Sequence, residues 1–204
     1  MSTVLLFLLL SVFLNVAAAA AHRSVLQQGV AEKVVRFHVL ANSDREEDQN
    51  VKYQVRDAVL AWMSASFTDS GQETSPEEEN DRAGTLTFLA ENLSQIEAVA
   101  NAVLERENMP YRATAEIAQS YFPDRTYGAV TFPAGWYEAL RIRLGDADGQ
   151  NWWCLLYPRL CFSDCLHAVA EGEDSASLEE LLTVEEYESL LQSPGQWKIR
   201  FRWF

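Results

Sequence analysis

Residues 34 to 62 read VVRFHVLANSDREEDQNVKYQVRDAVLAW, and the change of period inside this stretch decides the fold class. In VVRFHVLA, Val35, Phe37 and Val39 share one face while Arg36 and His38 share the other, the two-residue alternation of a half-buried strand. The pattern then changes. Ser43 and Glu46 are spaced as a capping box, and Asp44, Glu46, Glu47 and Asp48 occupy a first turn where the helix dipole favours negative charge. Val51, Val55, Ala58, Val59 and Trp62 follow at helical spacing. A strand running straight into an amphipathic helix predicts that the helix packs on the strand's apolar face.

Outward from this unit, residues 69–84, DSGQETSPEEENDRAG, are polar and acidic with Gly and Pro, which reads as a mobile linker inside one domain. A second helix is predicted over about 85–107, with Leu86, Leu89, Leu93, Ile96 and Val103 on one face and a stop before Met109 and Pro110. Strands return at 111–121, 129–132 and 136–144, separated by FPDRTYG and PAG, turn-forming runs that favour antiparallel pairing. An acidic helical stretch near 177–192 precedes a last alternating segment, WKIRFRWF. The expectation is an α+β fold, a mostly antiparallel sheet with helices packed on one face, in a single domain spanning 22–204. The polar sides of these strands carry Arg36, Arg112, Arg141, Arg143, Lys198, Arg200 and Arg202, seven of the sixteen basic residues. They either form a basic surface for an anionic partner or pair with the acidic helix and solvent.

Composition narrows the function. A chain of 204 residues, 48% apolar and 23% charged, is long enough for one well-packed domain. Its net charge of −14 argues against a general nucleic-acid or anionic-membrane binder, which needs a basic excess. The first 21 residues, MSTVLLFLLLSVFLNVAAAAA, hold no charged side chain, are apolar from Val4 to Leu14 and end in alanines offering a small-residue cleavage site at Ala19–Ala21. This predicts a signal peptide over 1–21 and a mature start at His22, although the leading residues lack the usual Lys or Arg. Ser11 and Asn15 interrupt a run of marginal spanning length, so an uncleaved membrane anchor is the alternative. Both readings place the body outside the cytoplasm.

That compartment bears on GQNWWCLLYPRLC, residues 149–161. Cys154 and Cys161 would stand about 10 Å apart along an unbroken helix, but Pro158 forces a turn and brings a Cys154–Cys161 disulfide within reach, leaving Cys165 unpaired. A metal site from Cys161, Cys165 and His167 competes weakly, because no paired C-x-x-C accompanies it. Trp152 and Trp153 cannot both face the core of a strand, and in a helix they diverge by about 100 degrees, so one should anchor and its neighbour lie near the surface. Catalytic signals are sparse. Cys154 with His38 could be offered as a nucleophile pair, but the chain has no GxSxG, HExxH or Gly-rich phosphate loop, and the disulfide would consume the thiol. No catalytic residue, metal, cofactor or small-molecule substrate is expected.

Two stretches, RFHVLANSDREEDQNVKYQVRDAVL and YGAVTFPAGWYEALRIRLGDADGQNWWCLLYPRLC, closely resemble the stage II sporulation protein R family of endospore formers. The resemblance implies a signalling protein, not an enzyme, secreted from the forespore into the intermembrane space, either free or membrane-associated. Its implied partner is a membrane-embedded aspartic protease in the mother-cell membrane, which then processes a sigma-factor precursor. The family pattern falls on Arg36, His38, Asn42, Asp44, Asp48, Arg56, Asn151, Trp152, Trp153, Cys154, Pro158 and Cys161, among others. Arg159, where a second proline is expected, and the extra Cys165 depart from it. Exposure and chemistry suggest partner contacts from Arg36, His38, Asn42, Asp44, Asp48, Arg56, Arg141, Arg143, Asn151, Trp152 and Trp153. Two other classes compete: a cell-wall-binding module stacking sugars on Trp136, Trp152 and Trp153, and a hydrolase using Asp44 with Asp48.

Overall fold

A computed structural model describes residues 2–69, 82–127, 129–158 and 178–191. Most of the acidic linker, Arg159, Cys161, Cys165, His167 and the segment WKIRFRWF lie outside the described residues, with all expectations that rest on them.

The strand–helix unit forms as its periods predict. β1 (Val35–Leu40) leads through a short loop into α2 (Glu46–Asp69), and Val51, Val55 and Val59 are buried with Val35, Phe37 and Val39. The start of α2 differs in detail from the expected capping box. The Ser43 hydroxyl accepts the Arg45 N–H at 3.2 Å, and Gln49 rather than Glu46 reaches back, donating from Nε2 to the Ser43 carbonyl at 3.0 Å. α3 (Arg82–Arg106) adds Leu89, Ile96, Ala100, Val103 and Leu104 to the same core.

β2 (Ala113–Phe122), the short β3 (Arg125–Tyr127) and β4 (Val130–Phe132), β5 (Gly135–Leu144) and β6 (Asn151–Tyr157) follow. The main sheet has the order β2-β5-β1-β6, while β3 and β4 make a separate hairpin. β2 pairs antiparallel with β5 and β6 antiparallel with β1, whereas β1 and β5 run parallel with Arg36 beside Ala139 and His38 beside Arg141. The sheet is thus mostly antiparallel in an α+β fold, with α2 and α3 on one face. Turn signals could reveal neither pairing of β1, because α2, α3 and β2 to β4 lie between it and both of its neighbours, β5 and β6. β3 arises inside a stretch read as a turn.

Of the strand arginines read either as a basic surface or as partners of the acidic helix and solvent, Arg141 and Arg112 pair instead with Glu116 and Glu105, and Arg36 is buried. Lys198, Arg200 and Arg202 lie outside the described residues. The second face is not left open. The end of α1 (Ser2–Lys33), the β3–β4 hairpin, one helical turn at 178–181 labelled α4, and α5 (Val184–Leu191) cover much of it. They bury Val30, Val34, Phe122, Phe132, Tyr137, Ala139, Leu155, Leu178 and Leu190 in a second cluster. α1 runs without a break through the expected cleavage region; residues 3–25 are exposed, whereas Val30 is fully buried.

Candidate functional site

Three groups of side chains hold the residues singled out from sequence. The first closes the pole of the sheet where β1 ends. Asp48 is fully buried, yet its carboxylate accepts hydrogen bonds from Asn42 Nδ2 at 3.1 Å, Tyr111 OH at 2.5 Å and the Ser43 hydroxyl, with Arg45 Nε 3.5 Å away. Burial opposes ionisation, but these donors and Arg45 together hold its pKa below the usual carboxylate value. Burial and the Asp48 carboxylate in turn push the Tyr111 phenol upward. Asn42 Oδ1 receives the Asp146 N–H at 3.0 Å and Asp44 Oδ1 the Gln150 N–H at 2.7 Å. Lys52 donates to the Gln150 carbonyl at 3.1 Å. A Cβ at Gly149 would lie 2.3 Å from the Ser43 carbonyl oxygen, so only glycine lets these loops meet. Asn42, Asp44 and Lys52 therefore tie the β1–α2 unit to the β5–β6 loop, and Asp48 holds Asn42 and Ser43 in place from behind and joins them to Tyr111. Asp48, enclosed and saturated, is poorly placed as a hydrolytic acid or base.

The second group lies on the second face of the sheet. Glu116, Arg141, His38 and Trp153 form one row across all four strands. Arg141 donates to Glu116 Oε1 at 3.0 and 2.8 Å, and this pair remains partly exposed. Next to it Arg36 is fully buried. Its guanidinium lies over Phe122 at 4.3 Å, Tyr137 at 5.0 Å, Phe132 at 5.4 Å and Tyr127 at 5.8 Å from the ring centres. Its Nε donates to the Cys154 carbonyl at 3.3 Å and its Nη2 to the Tyr127 hydroxyl at 3.1 Å. His38, 4% exposed, has its pKa lowered to about 4, first by burial and then by Arg141 and Arg36. Both of its nitrogens, Arg36 Nη1 and Trp153 Nε1 lack a hydrogen-bond partner among the described residues. Arg36 and His38, expected at a partner surface, are thus interior groups, while Arg143 is exposed and Asn151 is half-buried.

The third group sits where α2 meets the edge strand β6. Trp152 and Trp153 point to opposite faces, as the strand alternative required. Trp152 packs edge-on to Phe37 at 5.5 Å, and Trp153 lies under the Arg125 guanidinium at 3.9 Å. Arg56 is held between two rings, 5.0 Å from Trp152 and 5.0 Å from Tyr53, and Tyr53 is 42% exposed. Trp136 belongs to another edge of the fold, beside Tyr121, so the three tryptophans named for sugar stacking share no platform. Sequence reasoning missed Tyr53, Tyr111, Arg125, Phe122 and Phe132; Tyr127 and Tyr137 fall on the family pattern, but nothing tied them to Arg36. Only Tyr53 carried a local signal, lying three residues before Arg56 and so on the same side of a helix. Cys154 is buried on β6, whose last residue, Tyr157, precedes Pro158. Among the described residues no group of His, Cys, Asp and Glu is arranged to hold a metal ion.

Together these features define an α+β domain carried behind an apolar N-terminal helix, that helix being compatible with a signal sequence. The chain belongs to the stage II sporulation protein R family, whose model matches residues 31–167, the span that contains all three groups. It is also similar to the stage II sporulation protein R of Bacillus subtilis (strain 168), with 37% identity over 147 residues. That alignment covers 71% of this chain and 62% of the relative, so the chain spans less than two thirds of the curated protein's length. No solved structure matches.

Proposed function

We propose that this sporulation protein is a signal exported from the forespore, and that it activates a membrane-embedded aspartic protease of the mother-cell membrane, which then processes a sigma-factor precursor. The match across residues 31–167 carries the reading. The apolar α1 supports export into the intermembrane space. The Tyr53–Arg56–Trp152 stack supports a protein partner, because aromatic and arginine side chains that are already immobilised lose little entropy on docking and dominate interface energies. In this proposal Arg56, Trp152 and the neighbouring Asn151 meet the protease, whereas Arg143, exposed but two strands away on the face opposite Trp152, lies apart from that surface. Arg36, His38, Asn42, Asp44 and Asp48 shape that surface from behind. A Cys154–Cys161 disulfide would tie the end of β6 to the chain beyond Pro158 and stiffen the strand that presents Trp152.

The test is reconstitution of protease and precursor in vesicles with the exported form of this chain added outside. Cleavage of the precursor that depends on the added chain supports the reading. Precursor cleaved equally without it, or never cleaved by an otherwise active protease, defeats it.

A further inference from the structure

Outside α1, the large apolar side chains exposed among the described residues are Tyr53, Tyr121, Trp136, Val184 and Leu191. Tyr121 and Trp136 are register partners on β2 and β5, 57% and 62% exposed, with ring centres 5.8 Å apart. Tyr53 belongs to the surface already described; this pair does not.

Their position relative to α1 gives them a partner. β5 runs parallel to β1 with Ala139 beside Arg36, so Gly135 and Trp136 lie at the end of the sheet where β1 begins. α1 extends past that end. Its Gln27 side chain covers Gly135, where a Cβ would come within 2.2 Å of Nε2, and donates to the Trp136 carbonyl at 3.5 Å. The uncharged run of α1 ends at Ala21, six residues and about 9 Å of helix from Gln27. The polar layer of one bilayer leaflet is roughly 5–7 Å deep. Tyr121 and Trp136 therefore have their backbones at the outer boundary of the headgroup layer of a membrane crossed by the apolar run, close enough for their side chains to enter it. Val184, 76% exposed, stands at the same end, since its neighbour Glu185 reaches His22 at 3.2 Å.

We propose that Tyr121 and Trp136, with Val184 beside α1, form a contact surface for the phospholipid bilayer that α1 enters. Amphipathic rings are favoured in the headgroup layer, where the indole N–H or phenol OH meets water and phosphate while the ring body is withdrawn from bulk water. Because α1 is held to the fold by buried Val30 and by Lys33 on Glu186 at 2.6 Å, the helix and the aromatic edge act as two linked supports. They set the domain on the membrane with the Asn42–Asp48 pole pointing away. This orientation does not depend on the identity of the protease.

Tryptophan fluorescence of the full chain tests it, in vesicles of phosphatidylcholine and phosphatidylglycerol in which part of the phosphatidylcholine carries bromines just below the headgroup. Brominated lipid should remove emission from the wild-type chain that it does not remove from Trp136→Phe, a variant expected to melt at the wild-type temperature because the site is exposed. Equal loss in both chains overturns the proposal. So does Trp136 emission that aqueous iodide quenches in these vesicles while brominated lipid leaves it intact.

Discussion

The Arg36 guanidinium and the Phe122 ring stack at 4.3 Å although their strands, β1 and β2, are not neighbours in the sheet. β5 lies between them, and Ala139 stands beside Arg36 in the register, with Ala118 beyond it. These small side chains leave a passage in which the long arginine crosses β5 to reach its rings. A desolvated cation–ring contact of this kind is worth about 2 kcal/mol.

Removing that arginine should damage the fold more than its charge alone suggests. Arg36→Ala is expected to cost about 2–5 kcal/mol, by analogy with other large-to-small core changes. Arg36→Met, which refills the passage with apolar volume and needs no desolvation, should recover most of the loss. Urea unfolding measures both, and an Arg36→Ala chain as stable as the wild type would show that the enclosure is not formed.

His38 makes stability depend on pH in a defined direction. Its folded pKa of about 4 lies below the roughly 6.5 of an unfolded histidine, so between these values the unfolded chain binds more protons. Stability should be full above pH 6.5 and fall as pH drops toward 4, by about 3 kcal/mol from this group at ~1.36 kcal/mol per pH unit. Urea midpoints across the window should show the slope, and His38→Gln should flatten it. Arg141→Gln, by removing a neighbouring positive charge, should raise the histidine pKa and shrink the loss. A slope unchanged in His38→Gln would assign the effect elsewhere.

The C-terminal turns of α1 belong to the folded domain. A chain beginning at His22 keeps Val30 and Val34, both fully buried, and should melt near the full-length temperature. One beginning at Val35 loses both side chains and the Lys33–Glu186 bond, and should be destabilised by several kcal/mol at about 1.5–3 kcal/mol per buried aliphatic residue. Calorimetry of the two forms decides this; equal melting temperatures would make α1 a mere leader.

Tyr53 separates docking from stability. Its ring is 42% exposed, so Tyr53→Ala should change unfolding free energy by only about 0.5 kcal/mol. If the Arg56 stack is the docking element, the same change should weaken protease activation by about 2 kcal/mol, some thirtyfold in the concentration needed. Activation at the wild-type concentration would remove Tyr53 from the interface.

Thiol alkylation addresses the disulfide. Exported protein treated with iodoacetamide without reductant should be labelled at Cys165 and not at Cys154 or Cys161, which should appear as one linked peptide on mass analysis. Label on all three would leave β6 without its proposed tie.

Local sequence determined most of the elements, because each carries its own period. The alternation of Val35, Phe37 and Val39 and the helical spacing of Val51, Val55 and Val59 specify β1, α2 and the face on which they meet, and they do so through neighbours only a few residues away. The family was also legible, since its two motifs are read directly from residue identities. What those motifs do was decided only by the tertiary structure. Arg36 alternates with apolar residues in the way a solvated arginine does, and nothing in its neighbourhood predicts that Phe122, Tyr127, Phe132 and Tyr137, some ninety to one hundred residues later, will enclose it. Asp48 reads as a first-turn helix carboxylate until Tyr111 arrives from beyond α3 to complete its shell. The parallel pairing of β1 with β5 sets these partners in place. Period reports which face of a strand a residue occupies, whereas burial depends on what the rest of the chain lays over that face.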